Sequence, residues 1–193
     1  MELRVERLEK AYGGRIVLSN LSFTAGTGVT CVLGPSGTGK TTLLRLMMGL
    51  EAPDGGTISG GGGLRWGAVF QEDRLLEHLD AAGNLRFALG AAYEERAALA
   101  LLADLGLGGA CTEKKAVRDY SGGMKRRLAL ARALLAPGEA LALDEPFSGL
   151  DGGNRRRALE AVRRYGAGKL TLLVTHDPAD GEALGAAILR LGE

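Results

Sequence analysis

Gly34-Pro35-Ser36-Gly37-Thr38-Gly39-Lys40-Thr41 lies between an apolar run, Val29-Thr30-Cys31-Val32-Leu33, and a run at helical spacing, Leu43-Leu44-Arg45-Leu46-Met47-Met48. The spacing of its glycines and of the Lys-Thr pair is that of a loop that wraps phosphate. Such a loop must turn its own N–H groups inward. Glycines at 34, 37 and 39 permit the φ values and the close approach that a Cβ would block. The chain then enters a helix near Lys40, whose unpaired N–H groups and positive dipole end face the same anion. Pro35, Ser36 and Thr38 complete the binding loop. Lys40 brings a mobile positive charge to the terminal phosphates, Thr41 offers a hydroxyl to Mg²⁺, and Thr42 adds a phosphate contact. A buried strand before the loop and a helix after it are the context the motif requires, so the stretch implies an α/β sheet with a nucleotide phosphate site at its edge.

The rest of the composition narrows the setting. The chain has 193 residues, enough for one substantial core, and a formal charge of +1 from 24 basic and 23 acidic residues. That balance shows no electrostatic footprint for nucleic acid, so none is expected as a partner. No apolar run approaches the roughly 20 residues of a membrane-spanning helix, which predicts a cytoplasmic chain that touches a membrane through a partner only. Cys31, in the predicted strand, and Cys111, in a polar loop, have no metal-ligand spacing and are read as reduced thiols. Glycine is abundant, at 31 residues, and the runs Gly55-Gly56 and Gly60-Gly61-Gly62-Gly63 read as turns around a short strand at Thr57-Ile58-Ser59.

Leu3, Val5, Val17, Leu21 and Phe23 mark half-buried antiparallel strands joined by a turn at Tyr12-Gly13-Gly14-Arg15. From Asp73 to Lys115 the chain becomes Ala- and Leu-rich at helical spacing, as in Tyr93 through Leu105. Next come a helix opening at Ser121, a strand at Ala140-Leu141-Ala142-Leu143, a helix across Arg155 to Tyr165 and a strand at Leu170-Thr171-Leu172-Leu173-Val174. Apolar strands alternating with helices imply a parallel sheet covered on both faces.

A phosphate loop alone leaves kinases, GTPases, helicases and transporters open, and further features reduce that list. Leu141-Ala142-Leu143-Asp144-Glu145 is an apolar strand ending in two carboxylates, which puts them at the carboxyl edge of the sheet beside the phosphate loop. There Asp144 would hold Mg²⁺ and Glu145 would act as general base on the attacking water. Ser121 is a good N-cap for the helical run Met124 to Leu135, and Gly122 and Gly123 leave its N–H groups uncovered, which makes a second anion site.

With these residues in this order the chain resembles the nucleotide-binding subunit of ABC transporters, over Leu3 to Leu191. Tyr120-Ser121-Gly122-Gly123-Met124 stands where that family carries Leu-Ser-Gly-Gly-Gln, departing from it at Tyr120 and Met124. The resemblance implies that Ser148-Gly149-Leu150-Asp151 is the loop that crosses the dimer interface and places Asp151 there. It also makes His176 of Thr175-His176-Asp177 the γ-phosphate switch, Gln71 the glutamine that joins Mg²⁺ to the helical part, and Tyr12 the ring stacked on adenine. The expected fold is α/β: a P-loop NTPase parallel-sheet core with N-terminal antiparallel β strands and an inserted α-helical subdomain. Residues 1–72 and 116–193 would form the core of a single domain, and 73–115 the helical part.

One chain carries one phosphate loop and one Ser-Gly-Gly helix, so a complete site needs two copies. The resemblance implies an ATP-hydrolysing, Mg²⁺-dependent motor that dimerises around two ATP. It would sit on the cytoplasmic face of the membrane through permease subunits, with a solute-binding protein as a further partner. Gln71 through Leu79, with Leu75, Leu76 and Leu79 set among charges, suits a groove for a partner's short helix. The compact span from Lys40 to Gln71, the Ser-Gly-Gly-Met form and no extension beyond Leu191 are similar to importer ATPases of the nitrate, sulfonate and taurine type. An ABC-type ATPase coupled to lipoprotein release or to a cell-envelope or division complex, and a P-loop kinase, are the alternatives.

Overall fold

The computed structural model describes residues 1–61 and 63–192, with all side chains among them except those of Cys111 and Thr112. Gly62 of the glycine run and the Cys111 thiol therefore lie outside the described residues.

Strands β1 (Glu2–Tyr12) and β2 (Arg15–Gly26) form a hairpin that closes with Tyr12 opposite Arg15. Gly13 and Gly14 both have positive φ, the backbone that lets a two-residue turn follow the twist of its strands. Leu3, Val5 and Leu8 are buried on the inner face. The odd step from Val5 to Leu8 is absorbed where the register shifts, around Arg7 at φ 47°. The helical stretch that follows the phosphate loop is α1 (Lys40–Met47), and β4 (Gly55–Ser59) pairs antiparallel with the other edge of β1.

The second sheet is parallel throughout, in the order β5 (Trp66–Val69), β6 (Ala140–Asp144), β7 (Leu170–Val174), β3 (Gly28–Leu33), β8 (Ala187–Arg190). Its central strands are buried on both faces, as the continuous apolar runs predict. Ala140, Ala142, Leu170, Leu172 and Val174 pack toward α1 and the inner face of the hairpin. Leu141, Leu143, Leu173, Cys31 and Leu33 pack the opposite way, against α2 (Ala81–Leu89), α3 (Glu95–Asp104), α5 (Gly122–Leu135) and α6 (Gly152–Tyr165). Each fully buried leucine in these layers contributes about 1.5–3 kcal/mol.

Several boundaries differ from the sequence reading. Helix α3 starts at Glu95 rather than Tyr93, because the Glu94 carboxylate caps it by accepting from the Ala97 N–H. Helix α6 starts at Gly152, ahead of Arg155, because Asp151 caps it. The backbone of Cys111 lies in a short helix, α4 (Gly108–Thr112), where a loop was expected. Residues 71–80 hold no helix. Buried Asn84 on α2 pins that segment, with its Oδ1 accepting from Leu76 N–H at 2.8 Å and its Nδ2 donating to Leu76 C=O at 2.9 Å. Cys31 is a free, buried thiol pushed up to about 11, chiefly by burial, and so is poorly nucleophilic.

Candidate nucleotide site

Because β3, β5, β6 and β7 run parallel, everything that follows them emerges at one edge. After β3 comes the 34–39 loop, after β5 Gln71, after β6 Glu145, and after β7 His176. With Tyr12, Arg15, Lys40, Thr41, Thr42 and Asp144 they line a cavity of about 1020 Å³. Thr38 alone of the loop residues is not on its wall; its hydroxyl donates to Pro35 C=O at 2.9 Å and ties the loop from behind.

The loop is shaped by what its glycines avoid. Gly39 has φ 91°, and a Cβ there would fall 2.7 Å from Val17 Cγ1 and 2.9 Å from Leu18 Cδ2, so only glycine lets the hairpin close over the start of α1. Lys40 Nζ donates to Gly34 C=O at 2.7 Å and to Pro35 C=O at 2.8 Å. The ammonium is thus held inside the loop by carbonyls that phosphate oxygens can replace, one turn from the N–H groups at the start of α1.

Thr41 Oγ1 donates to Asp144 Oδ2 at 2.6 Å. Asp144 is 1% exposed, and its Oδ1 has no hydrogen-bond partner among the described residues. Burial pushes its carboxyl above the usual aspartate range, opposed by the Thr41 hydroxyl and by the charges of Arg126, Lys40 and Arg45. A buried carboxylate oxygen without a partner, beside a hydroxyl and a phosphate loop, is a donor set suited to a hard, oxygen-seeking cation. Mg²⁺ fits it.

Glu145 is held in the left-handed region at φ 50°, directly before Pro146, a conformation that costs a non-glycine residue about 1–3 kcal/mol. Its N–H donates to Val174 C=O at 2.9 Å, and its own C=O accepts from Ser148 N–H at 3.1 Å and from Arg126 Nη2 at 2.7 Å. That twist aims the carboxylate along the edge, where Oε2 lies 2.9 Å from His176 Nδ1. The His176 loop is itself braced: Thr175 Oγ1 donates to buried Asp180 at 2.7 Å, and Arg155 on α6 donates to both Asp180 and Asp177.

The structure thus brings together the loop, Lys40, Thr41, Asp144, Glu145, His176, Gln71 and Tyr12. Tyr12 is 45% exposed, with its hydroxyl on Glu51, which raises its pKa and fixes its ring at the cavity mouth. It does not bring in Ser121, Gly122, Gly123 or Asp151, none of which lines that cavity. Ser121 caps α5 through the Met124 N–H at 3.3 Å, and Ser121 and Gly122 are exposed. Asp151 caps α6 through the Asn154 N–H at 2.9 Å. Sequence reasoning passed over Arg15 on the cavity wall and the bracing residues Arg126 and Arg155. Arginines spaced along a helix read as a solvated face, and no local signal separates these from that.

Residues 18–148 match the ABC transporter family. The chain belongs to that family. It is 38% identical over 203 residues to the aliphatic sulfonates import ATP-binding protein SsuB 2 of Burkholderia cenocepacia, covering 99% of this chain and 73% of that protein. The SsuB 1 protein of Rhodococcus jostii is 40% identical over 187 residues, covering 93% and 75%. An Fe(3+) ions import ATP-binding protein, FbpC, of Mesorhizobium japonicum is 37% identical, covering 99% of this chain and 58% of that one. In fold, the chain is similar to a solved dimeric bacterial ABC transporter cassette, MJ0796, with TM-score 0.83, 24% identity, and 98% and 94% of the two chains covered. The start of α5 at Ser121 lies outside the phosphate cavity, and any function has to accommodate that.

Proposed function

We propose that this chain is the ATP-hydrolysing subunit of an ABC importer, working as a dimer around two ATP and driving permease subunits supplied by a solute-binding protein. One observation carries the reading: a single chain presents a phosphate cavity edged by Glu145 and His176, while the start of α5, exposed at Ser121 and Gly122, does not line that cavity. Two copies facing each other would supply each ATP with a loop from one and Ser121, Gly122, Gly123 and Asp151 from the other.

On binding ATP, Lys40 exchanges the Gly34 and Pro35 carbonyls for phosphate oxygens, and loop and helix N–H groups take the remaining charge. Thr41, Asp144 and Gln71 would hold Mg²⁺, which on binding supplies neutralisation of phosphate charge. Glu145 takes the proton of the attacking water, and His176, paired with it, contacts the γ-phosphate. Tyr12 stacks on the base. Hydrolysis removes the charge that both helix starts attract, and the dimer opens. Among the described residues no helix is long and apolar enough to cross a membrane, so attachment to it would run through the permease, with residues 71–79 as the docking segment. The similarity to the SsuB proteins points to a small organic anion such as a sulfonate as the solute.

The test is Glu145→Gln beside Ser121→Arg. The first is expected to keep ATP affinity, lose hydrolysis by about 100-fold or more and accumulate a closed dimer. The second is expected to keep monomer nucleotide binding and lose ATP-driven dimerisation. Parental hydrolysis by Glu145→Gln, or phosphate transfer to an acceptor other than water, overturns the reading.

A further inference from the structure

Helix α5 has two faces that act at different places. Its start, with Ser121 and Gly122 exposed and Gly123 half-buried, would meet a nucleotide held by another copy, on the reading above, and the inference here rests on that reading. One turn further in, Arg126 is 6% exposed and directs its guanidinium back into its own chain. Nη1 donates to Phe70 C=O, to Gln71 C=O at 3.4 Å and to Asp73 Oδ1 at 2.9 Å. Nη2 donates to Asp144 C=O and, at 2.7 Å, to Glu145 C=O, which also accepts from Nε at 3.1 Å. One rigid plane therefore clasps the ends of β5 and β6, the two strands that deliver Gln71 and Glu145. Two neighbours on α5 hold the same segment: Lys125 Nζ lies 2.7 Å from Glu77, and Arg132 donates to Asp73 C=O at 2.9 Å and Arg74 C=O at 2.7 Å. Gly122 and Gly123 face Gln71 and Glu145 across a depression of about 440 Å³, with Arg126 on its wall.

We propose that Arg126 is a positioning residue that sets Glu145 and Gln71 of its own copy according to how α5 docks on the nucleotide of the other. A planar fork bonded to Glu145 on one side and to the 70–73 segment on the other transmits a shift of the helix to both. It also holds Glu145 in its left-handed backbone, because the carbonyl that the twist turns inward is the one receiving Nη2 and Nε. Arg126 thereby links the two ATP sites of a dimer within one polypeptide, without touching either nucleotide.

Mixed dimers, purified through two different tags, test this because they separate the two ends of α5. In the first pairing one copy carries Arg126→Met and the other Glu145→Gln, so the only active Glu145 lies in the chain that lacks Arg126. In the second, one copy carries both substitutions and the other is parental. The active Glu145 then keeps its own Arg126 and faces a signature from the altered helix. Relative to a parental/Glu145→Gln dimer, the first is expected to lose about 10–100-fold in kcat with KM for ATP within about twofold. The second is expected to stay within about twofold of that reference. Arg126→Lys, which keeps the charge but not the fork, is run through both pairings and melted alongside. It is expected to fold like the parent and to show the same asymmetry, more weakly. Equal losses in both pairings, a larger loss in the second, or no loss in either with the Lys variant overturns the proposal. A Glu145→Gln homodimer that still turns over at the parental rate fails the general-base role given to Glu145 in the proposed function instead, and is recognised before any mixed dimer is made.

Discussion

The phosphate loop and the edge that carries Glu145 and His176 line one cavity and are built in opposite ways. Within the loop the contacts are local: Lys40 to Gly34 and Pro35, Thr38 to Pro35, with glycines supplying the backbone freedom. The edge is assembled from segments far apart in the chain, with Arg126 joining residues 70–73 to 144–145 and Arg155 joining α6 to the His176 loop. A site that must hold a common ligand can be encoded in one stretch, whereas a site that must respond to a partner is suspended between several elements. The sharpest way to break this contrast is at Gly39. Gly39→Ala places a Cβ in the left-handed region against Val17 and Leu18. It is expected to weaken ATP binding by about 100-fold, the equivalent of roughly 3 kcal/mol, as read by fluorescent nucleotide titration. Near-parental affinity would show that the loop is less locally determined than its geometry implies.

The edge should fail differently, by losing rate before affinity. Arg155→Met leaves the carboxylate of Asp180, 2% exposed, with its Thr175 hydroxyl bond but without its arginine. Breaking such a pair from one side is expected to cost about 2–3 kcal/mol of stability, less than for a wholly buried pair because Arg155 is partly exposed. Loosening the loop that carries His176 is expected to lower kcat about tenfold with little change in KM. Adding Asp180→Asn removes the stranded charge and should restore much of the melting temperature but not the rate. Recovery of both would make the network a matter of stability alone.

The same contrast explains what the sequence made legible. The loop, the strand ending in Asp144 and Glu145, the Ser121 cap and the order of the apolar strands follow from spacing and backbone chemistry within a few residues, and the fold formed around them as read. Arg126, Arg155 and Asn84 were not legible, because nothing within a few residues of an arginine on a helix, or an asparagine after a cap, says that tertiary packing will bury it. The boundaries that shifted did so where a side chain caps from just outside the periodic run, as Glu94 and Asp151 do. Arg15 shows a related limit: it was read only as the end of a hairpin turn, and its place on the cavity wall depends on how the antiparallel sheet lies over the parallel one.

Tyr12 belongs to neither extreme, since it sits on the hairpin and is fixed by Glu51, which in turn pairs with Arg45 on α1 at 3.2 Å. A stacking ring is worth about 0.5–1.5 kcal/mol, so Tyr12→Ala is expected to raise KM for ATP about 3–10-fold with kcat unchanged. Tyr12→Phe keeps the ring, loses its anchor, and should cost about twofold by the same measure. An effect of Phe as large as that of Ala would assign the hydroxyl, not the ring, to binding.

The smallest effect concerns Asp144, where the two regions meet through Thr41 and where stability and function oppose each other. Its folded carboxyl titrates above the usual value of 3.8 because burial disfavours the charged form. In the window from the usual value up to the raised one, the folded chain therefore holds more protons than the unfolded chain. Stability falls as pH rises through that window, and the cost persists in full above it. Asp144→Asn removes the charge while keeping an oxygen for the Thr41 hydroxyl. In chelator and without nucleotide at neutral pH, the variant is expected to be more stable than the parent by about 1 kcal/mol, a shift of roughly 2–4 °C in Tm. The gain should vanish below about pH 4, where the parent is protonated both folded and unfolded. With ATP and Mg²⁺ added, the order should reverse: the parent gains stability by binding, and the variant, lacking the carboxylate that meets the cation, gains less. A variant that is less stable than the parent in chelator at neutral pH would mean that the Thr41 contact outweighs the buried charge, and that this corner of the site is built for stability and not held in readiness for a cation.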